Sequence, residues 1–209
     1  MYKYIAIEGN IGAGKTTLAN QLAQDFDAIL IEEQFSDNPF LPLFYKNPSQ
    51  YALSLELSFL HERYAQMKEY INKKTAKNQL IVSDYSFIKT KLFACANLNK
   101  NEFDLFTKFY DIIYNQIPEP DILIYLDAPI QKLQENIAKR GRSYEKEIKA
   151  EYLLKIQNSY NSFLKISGIK TIVIEANNLD FMEDVNFHKK LITFLKEGII
   201  LPFQYWQPV

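Results

Sequence analysis

The sequence predicts an α/β fold built on a parallel sheet. Five short, β-branched, nearly uninterrupted apolar runs are separated by longer stretches with helical apolar spacing. The first run leads straight into a glycine-rich loop. Composition is that of an ordinary globular chain, 47% hydrophobic and 23% charged over 209 residues. Strands alternating with helices pair in parallel through right-handed crossovers. Runs without polar alternation are those of strands covered on both faces.

The first strand is Tyr4–Glu8 (YIAIE), followed by a short helix over Thr16–Phe26. The second strand, Ala28–Glu32 (AILIE), runs into Gln34–Pro48, which holds three of the eight prolines and no regular period and is expected to be loop. Tyr51–Asn72 has apolar residues at 53, 57, 60, 64 and 67, one face of a helix. The third strand is Leu80–Asp84 (LIVSD), followed by a helix over Asn101–Gln116. The fourth is Ile122–Asp127 (ILIYLD), with helices over Ile130–Lys139 and Ala150–Ile166 after it. The fifth is Thr171–Glu175 (TIVIE), and a helix over Phe181–Glu197 completes a single domain of residues 1–197. The remaining tail, 198–209 (GIILPFQYWQPV), is unusually apolar for a terminus. It reads as docking on its own subunit or as a contact with another.

A net charge of −1 argues against a polynucleotide partner, and Lys73-Lys74 and Lys189-Lys190 read as solvated helix ends. The single Cys95 has no partner for a disulfide, and His61 and His188 are too few and too far apart for a metal site. Met1 leads at once into a strand, and no apolar run approaches the roughly 18 residues of a membrane span. The expectation is a soluble cytoplasmic protein without a membrane partner.

Gly9-Asn10-Ile11-Gly12-Ala13-Gly14-Lys15-Thr16 fits the phosphate-loop pattern G-x-x-x-x-G-K-[ST], with a strand entering and a helix leaving through Thr17. Three of the six glycines lie here, where side chains would keep backbone amides from closing on phosphate oxygens. Lys15 would neutralise the β- and γ-phosphates, and the Thr16 hydroxyl would ligate Mg²⁺. The loop thus calls for ATP and Mg²⁺ without saying where the γ-phosphate goes. Glu32-Glu33 end the second strand at the sheet edge where ligands bind, so a carboxylate there either accepts a proton from a hydroxyl or is simply solvated. Arg140-Gly141-Arg142 with Glu145 either folds over a triphosphate or forms a solvated charge run.

Taken together, these segments resemble the deoxyribonucleoside kinase family, over about residues 3 to 175. Glu33-Gln34-Phe35-Ser36-Asp37-Asn38-Pro39 is similar to the family's Glu-Pro-Val segment, whose Glu is the catalytic base. Tyr45 falls where a tyrosine holds the sugar 3′-hydroxyl, and Glu56 and Arg63 fall where a base-reading Gln and an Arg sit. Asp84-Tyr85-Ser86 takes the place of the acidic-Arg-Ser/Thr motif. Arg140-Gly141-Arg142-Ser143-Tyr144-Glu145 is similar to the lid, whose last Glu also reaches the sugar. The resemblance implies a P-loop nucleoside kinase fold with a five-stranded parallel sheet, an arginine-bearing lid and a homodimer. It implies Glu33, Lys15, Arg140 and Arg142 in catalysis, Tyr45, Glu56, Arg63, Asp84 and Glu145 around a small nucleoside, and Thr16 with Asp84 toward Mg²⁺. Asp127, at another strand end, is the alternative to Asp84, unless it caps a helix.

Three departures matter. Gln34 replaces a proline, which loosens the turn but leaves Glu33. Tyr85 replaces an arginine, and a tyrosine carries no positive charge near neutral pH. If the segment after Asp84 is helical, Lys89, or less readily Lys91, supplies that charge. Glu56 replaces the glutamine. Ionised, it offers only acceptors, which suits the adjacent N1–H and N2 amino donors of guanine, with Arg63 donating to O6 or N7. Protonated, it mimics glutamine and adenine fits; it can also be a structural ion pair with Arg63. The expected activity is ATP-dependent phosphorylation of a deoxynucleoside 5′-hydroxyl, deoxyguanosine ahead of deoxyadenosine. The alternatives are a nucleoside monophosphate kinase or a nucleotide-binding regulatory module.

Overall fold

The computed structural model describes residues 2–34, 38–74, 79–177, 185–198 and 201–207. The elements run β1 (Tyr4–Gly9), α1 (Lys15–Asp25), β2 (Ile29–Ile31), α2 (Phe40–Lys46), α3 (Pro48–Lys74), β3 (Ile81–Ser83), α4 (Ile88–Asn97) and α5 (Lys100–Tyr114). They continue with β4 (Ile122–Asp127), α6 (Ile130–Arg140), α7 (Ala150–Leu164), β5 (Thr171–Glu175), α8 (Val185–Glu197) and β6 (Phe203–Trp206). The first residues of the expected helix over Phe181–Glu197 and part of the segment Glu33–Pro39 lie outside the described residues.

Among the described residues the sheet has six parallel strands in the order β2-β3-β1-β4-β5-β6, not five. The sixth comes from the apolar tail. It pairs with β5 from Thr171–Phe203 to Ile174–Trp206, and the Trp206 ring packs on Phe187 at 5.4 Å and on Phe194 at 5.7 Å. With Phe203 and Tyr205 exposed, this strand lacks the burial of the other runs, so its apolar content alone did not mark it as a strand.

Alternation along the buried strands feeds opposite faces. Ile5, Ile7, Ile122, Ile124, Ile172 and Ile174 meet Leu18, Leu22, Leu133 and Leu191 on one side. Tyr4 and Ala6 meet Leu55, Phe59 and Leu60 on the other. Each such aliphatic side chain contributes about 1.5–3 kcal/mol by leaving water. Two helices lie where the sequence left none assigned. α2 falls inside the expected loop, and α4 carries Lys89 in its first turn but starts only at Ile88, so Tyr85 itself does not lie on a helix. α3 starts with Pro48 in its first turn, where a missing N–H costs nothing. Its most buried stripe is Ala52, Leu55, Glu56, Phe59, Leu60, Arg63 and Met67. That stripe is rotated from the apolar count, because two of the inward residues are charged.

The strands point their carboxyl ends at one edge. β1 delivers the glycine loop there, β2 ends two residues before Glu33, and β3 ends one residue before Asp84. Glu8, fully buried, fixes this edge. It accepts hydrogen bonds from the Ser86 amide (2.6 Å), the Ser86 hydroxyl (2.8 Å) and the Tyr160 hydroxyl (2.7 Å).

Candidate active site

Gly9, Gly12 and Gly14 all adopt positive φ. At Gly12, an added Cβ would lie 2.8 Å from the Leu133 carbonyl oxygen of α6. The loop is braced from two sides. Asn10 donates to the Leu153 carbonyl (2.7 Å), and Asn136 of α6 donates to the Gly12 carbonyl (2.8 Å). α1 then starts with no side-chain cap and no acidic residue in its first turn. Its first amides and its dipole therefore face the loop without a competing carboxylate. Lys15 folds back onto the Asn10 carbonyl at 2.8 Å. Burial, and then the charge of Lys89, lower its pKa to about 8.

Beyond the loop, a cleft is lined by Lys15, Thr16, Glu33, Asp84 and Lys89 toward the phosphate side and by Tyr45, Glu56, Phe93, Asn97 and Tyr152 farther in. Asp84 joins its parts: one carboxylate oxygen accepts from the Thr16 hydroxyl (2.5 Å), the other from the Glu33 amide (2.8 Å). Burial and the nearby Glu33 charge raise its pKa. Thr16 and Asp84 thus bring two oxygen donors together beside Lys15. That is the hard-ligand chemistry Mg²⁺ takes alongside water and phosphate. Among the described residues no three His, Cys, Asp or Glu side chains converge on a metal site, so these two oxygens would be its protein contribution.

Glu33 is the centre of a buried ion triad. One oxygen accepts from Arg63 Nε (3.0 Å) and Nη2 (2.6 Å), and the other pairs with Lys89 Nζ. Burial alone would raise its pKa; Lys89 and Arg63 overcome this and hold it at about 2. Arg63 is locked further by the Thr90 hydroxyl (2.9 Å) and the Phe59 ring below it, 4.8 Å away. Tyr85 is fully buried and donates to Gln66 (2.6 Å), whose amide donates to the Glu32 carbonyl (2.6 Å). Glu32 itself turns outward and accepts from Asn20 at 2.6 Å, so of the two carboxylates only Glu33 lines the cleft.

Glu56 is 1% exposed. One oxygen accepts from Asn97 Nδ2 (2.6 Å) and the other has no partner among the described residues. Burial raises its pKa to about 7 against the opposing pull of Asn97 and Arg63. Tyr45 stands nearby, stacked on Tyr144 and edge-on to Tyr152. Glu145, buried, accepts from Arg140 (3.0 and 2.5 Å) and Arg142 (3.3 Å). The two arginines also line the neighbouring space over the phosphate loop with Lys132 and Lys139.

Comparison with known proteins assigns a chain carrying this phosphate loop and cleft to a family. A family model described as deoxynucleoside kinase matches residues 5–200. The chain belongs to the deoxynucleoside kinase family. It is thus a phosphotransferase. Deoxyguanosine kinase of Bacillus subtilis (strain 168) is 33% identical over 202 residues, 94% of this chain and 98% of that one. Deoxyadenosine kinase of Dictyostelium discoideum is 32% identical over 182 residues, 86% and 74% of the two chains. A solved structure of deoxyadenosine kinase from M. mycoides with bound dATP aligns at a TM-score of 0.76 and 25% identity, covering 93% of this chain and 99% of that one.

Within this kinase, the expected residues Lys15, Thr16, Glu33, Tyr45, Glu56, Asp84, Arg140, Arg142 and Glu145 all line one cleft. Two expectations need correction. Arg63 lines the cleft with Glu56, but it gives three of its five N–H donors to Glu33 and Thr90 and forms no ion pair with Glu56 among the described residues. Glu33 lies closer and its carboxylate is the stronger acceptor. Asp127 lies outside the cleft, and its carboxylate accepts from Gln157 (3.0 Å). It caps no helix either, since Pro129 precedes α6. Asn97, Tyr152 and Thr90 were not anticipated. The signal for Asn97 was its spacing: Lys89, Phe93 and Asn97 recur every four residues on one face of α4.

Proposed function

We propose that the protein transfers the γ-phosphoryl group of ATP to the 5′-hydroxyl of a deoxyribonucleoside, deoxyguanosine ahead of deoxyadenosine, as a cytoplasmic homodimer. The observation that carries this reading is Glu33, buried between the phosphate loop and the Glu56 wall and held by two cations. The loop amides of Gly9 to Thr17 and Lys15 hold the donor phosphates. Thr16 and Asp84 would hold Mg²⁺, which would neutralise phosphate charge.

The 5′-oxygen attacks the γ-phosphorus in line while the bond to the β–γ bridging oxygen breaks and ADP leaves. A carboxylate of pKa about 2 is a weak base, so its role comes in two stages. It first accepts a hydrogen bond that aims the hydroxyl. It then takes the proton once phosphorus–oxygen bonding has made that hydroxyl acidic. Lys15 and the lid arginines stabilise charge on the transferring group. For that, Arg140 and Arg142 exchange part of their hold on Glu145 for phosphate, and Glu145 with Tyr45 turns to the 3′-hydroxyl.

Ionised Glu56 favours guanine because the oxygen that Asn97 leaves vacant can only accept. Adenine would leave its N1 facing an acceptor in a dry pocket, a loss of about 1–3 kcal/mol. A partner subunit has an apolar stripe to cover on α5, where Leu105, Phe109 and Ile112 are exposed.

The test is a panel of the four deoxynucleosides and their monophosphates with ATP and magnesium, followed by product analysis. The expected product is deoxyguanosine monophosphate in excess over deoxyadenosine monophosphate. Phosphorylation of monophosphates alone would overturn the reading.

A further inference from the structure

With Arg63 committed to Glu33, the nucleobase needs a second partner beside Glu56, and the wall contains one. Asn97 lines the same cleft, at the end of α4. Its amide donates to one oxygen of Glu56 at 2.6 Å, and the Tyr152 hydroxyl lies against it from α7. That bond fixes which Glu56 oxygen is taken and which, buried and unpartnered among the described residues, is left for a ligand.

We propose that Asn97 is a specificity-determining residue that reads the nucleobase edge jointly with Glu56. The inference deepens the deoxynucleoside kinase reading and rests on it. Beyond the N–H given to Glu56, the asparagine amide has a second N–H, which it shares with the Tyr152 hydroxyl, and a carbonyl acceptor. Side by side with the vacant Glu56 oxygen, this makes an edge of acceptor and donor. Guanine offers the complement, N1–H and the N2 amino group as donors next to O6 as acceptor. Adenine presents its amino donor and its N1 acceptor in the reverse order. Each mismatch leaves a desolvated polar group unpaired, and sites built this way reject the wrong ligand far more strongly than apolar pockets do.

The experiment compares wild type, Asn97→Ala and Asn97→Asp for kcat and KM with deoxyguanosine and deoxyadenosine, and for the KM of ATP. Asn97→Asp keeps the shape and removes the donor. In both variants the deoxyguanosine to deoxyadenosine ratio of kcat/KM is expected to fall at least tenfold, through nucleoside KM. The KM of ATP should stay within twofold, which a merely structural loss would not leave intact. Should Asn97→Ala fail to fold, the Asp variant and a Ser variant decide by the same ratio. Variants that discriminate as wild type does, within twofold, overturn the role of Asn97 alone. A wild type that phosphorylates no nucleoside overturns the functional reading, and this inference with it, before any variant is made.

Discussion

At the scale of single residues, the informative exchange is Tyr85 for an arginine. The tyrosine is fully buried, and its hydroxyl is tied through Gln66 to the Glu32 backbone. It therefore positions the end of β2 without carrying charge. A positive charge stands four residues further on at Lys89, paired with Glu33 and close enough to Lys15 to depress its pKa. Lysine does this as a point charge, so it can follow the phosphoryl group where a forked guanidinium would be held by the carboxylate. Lys89→Ala is expected to lower kcat by roughly 100-fold, the lower end of the range for a lost electrostatic contact in a water-excluded site. Lys89→Arg should retain more of the rate. Steady-state kinetics at saturating ATP and nucleoside check this, and an unchanged kcat in the alanine variant would sink the idea. Glu33 remains held by Arg63, so the variant should stay folded.

At the scale of elements, the phosphate loop and the lid helix are one mechanical unit. Gly12 lies against the Leu133 carbonyl and accepts from Asn136, and α6 continues from there to Arg140. Gly12→Ala would add a left-handed strain of about 1–2 kcal/mol and drive a methyl into that helix backbone. The expected result is a KM for ATP raised at least tenfold together with a lower melting temperature. A variant with wild-type ATP KM would show that loop and lid move independently. This loop was legible in the sequence because its glycines, lysine and threonine are contiguous and their spacing is itself the chemistry. The buried strands were legible because burial on both faces leaves an unbroken apolar run. What could not be read lies between distant segments. Arg63 and Glu33 are 30 residues apart, and nothing local says that a guanidinium on α3 turns to a strand end rather than to a base. α2 was hidden by its own proline and shortness, and the helical face of α3 by the charged residues it turns inward.

For the whole molecule, the two buried glutamates place opposite demands on stability. Glu33 titrates near 2, below the ordinary carboxyl value of 4.5. Its contribution is fully present above pH 4.5 and is lost as pH falls through 2. Glu56 titrates near 7, above that value. Between pH 4.5 and 7 the folded state binds its proton more tightly than the unfolded chain does, so stability falls as pH rises through this window. Joined, the two contributions are greatest near pH 4.5 and are diminished at neutral pH. Glutamine at this position would keep the acceptor that Asn97 uses and remove the titration. Glu56→Gln should therefore be more stable than wild type at pH 8, by roughly 1–3 kcal/mol, with the advantage shrinking toward pH 5. Urea unfolding at the two pH values measures this. A stability difference that is the same at both would mean that Glu56 titrates in the folded protein as it does in the unfolded chain, which would overturn its raised pKa.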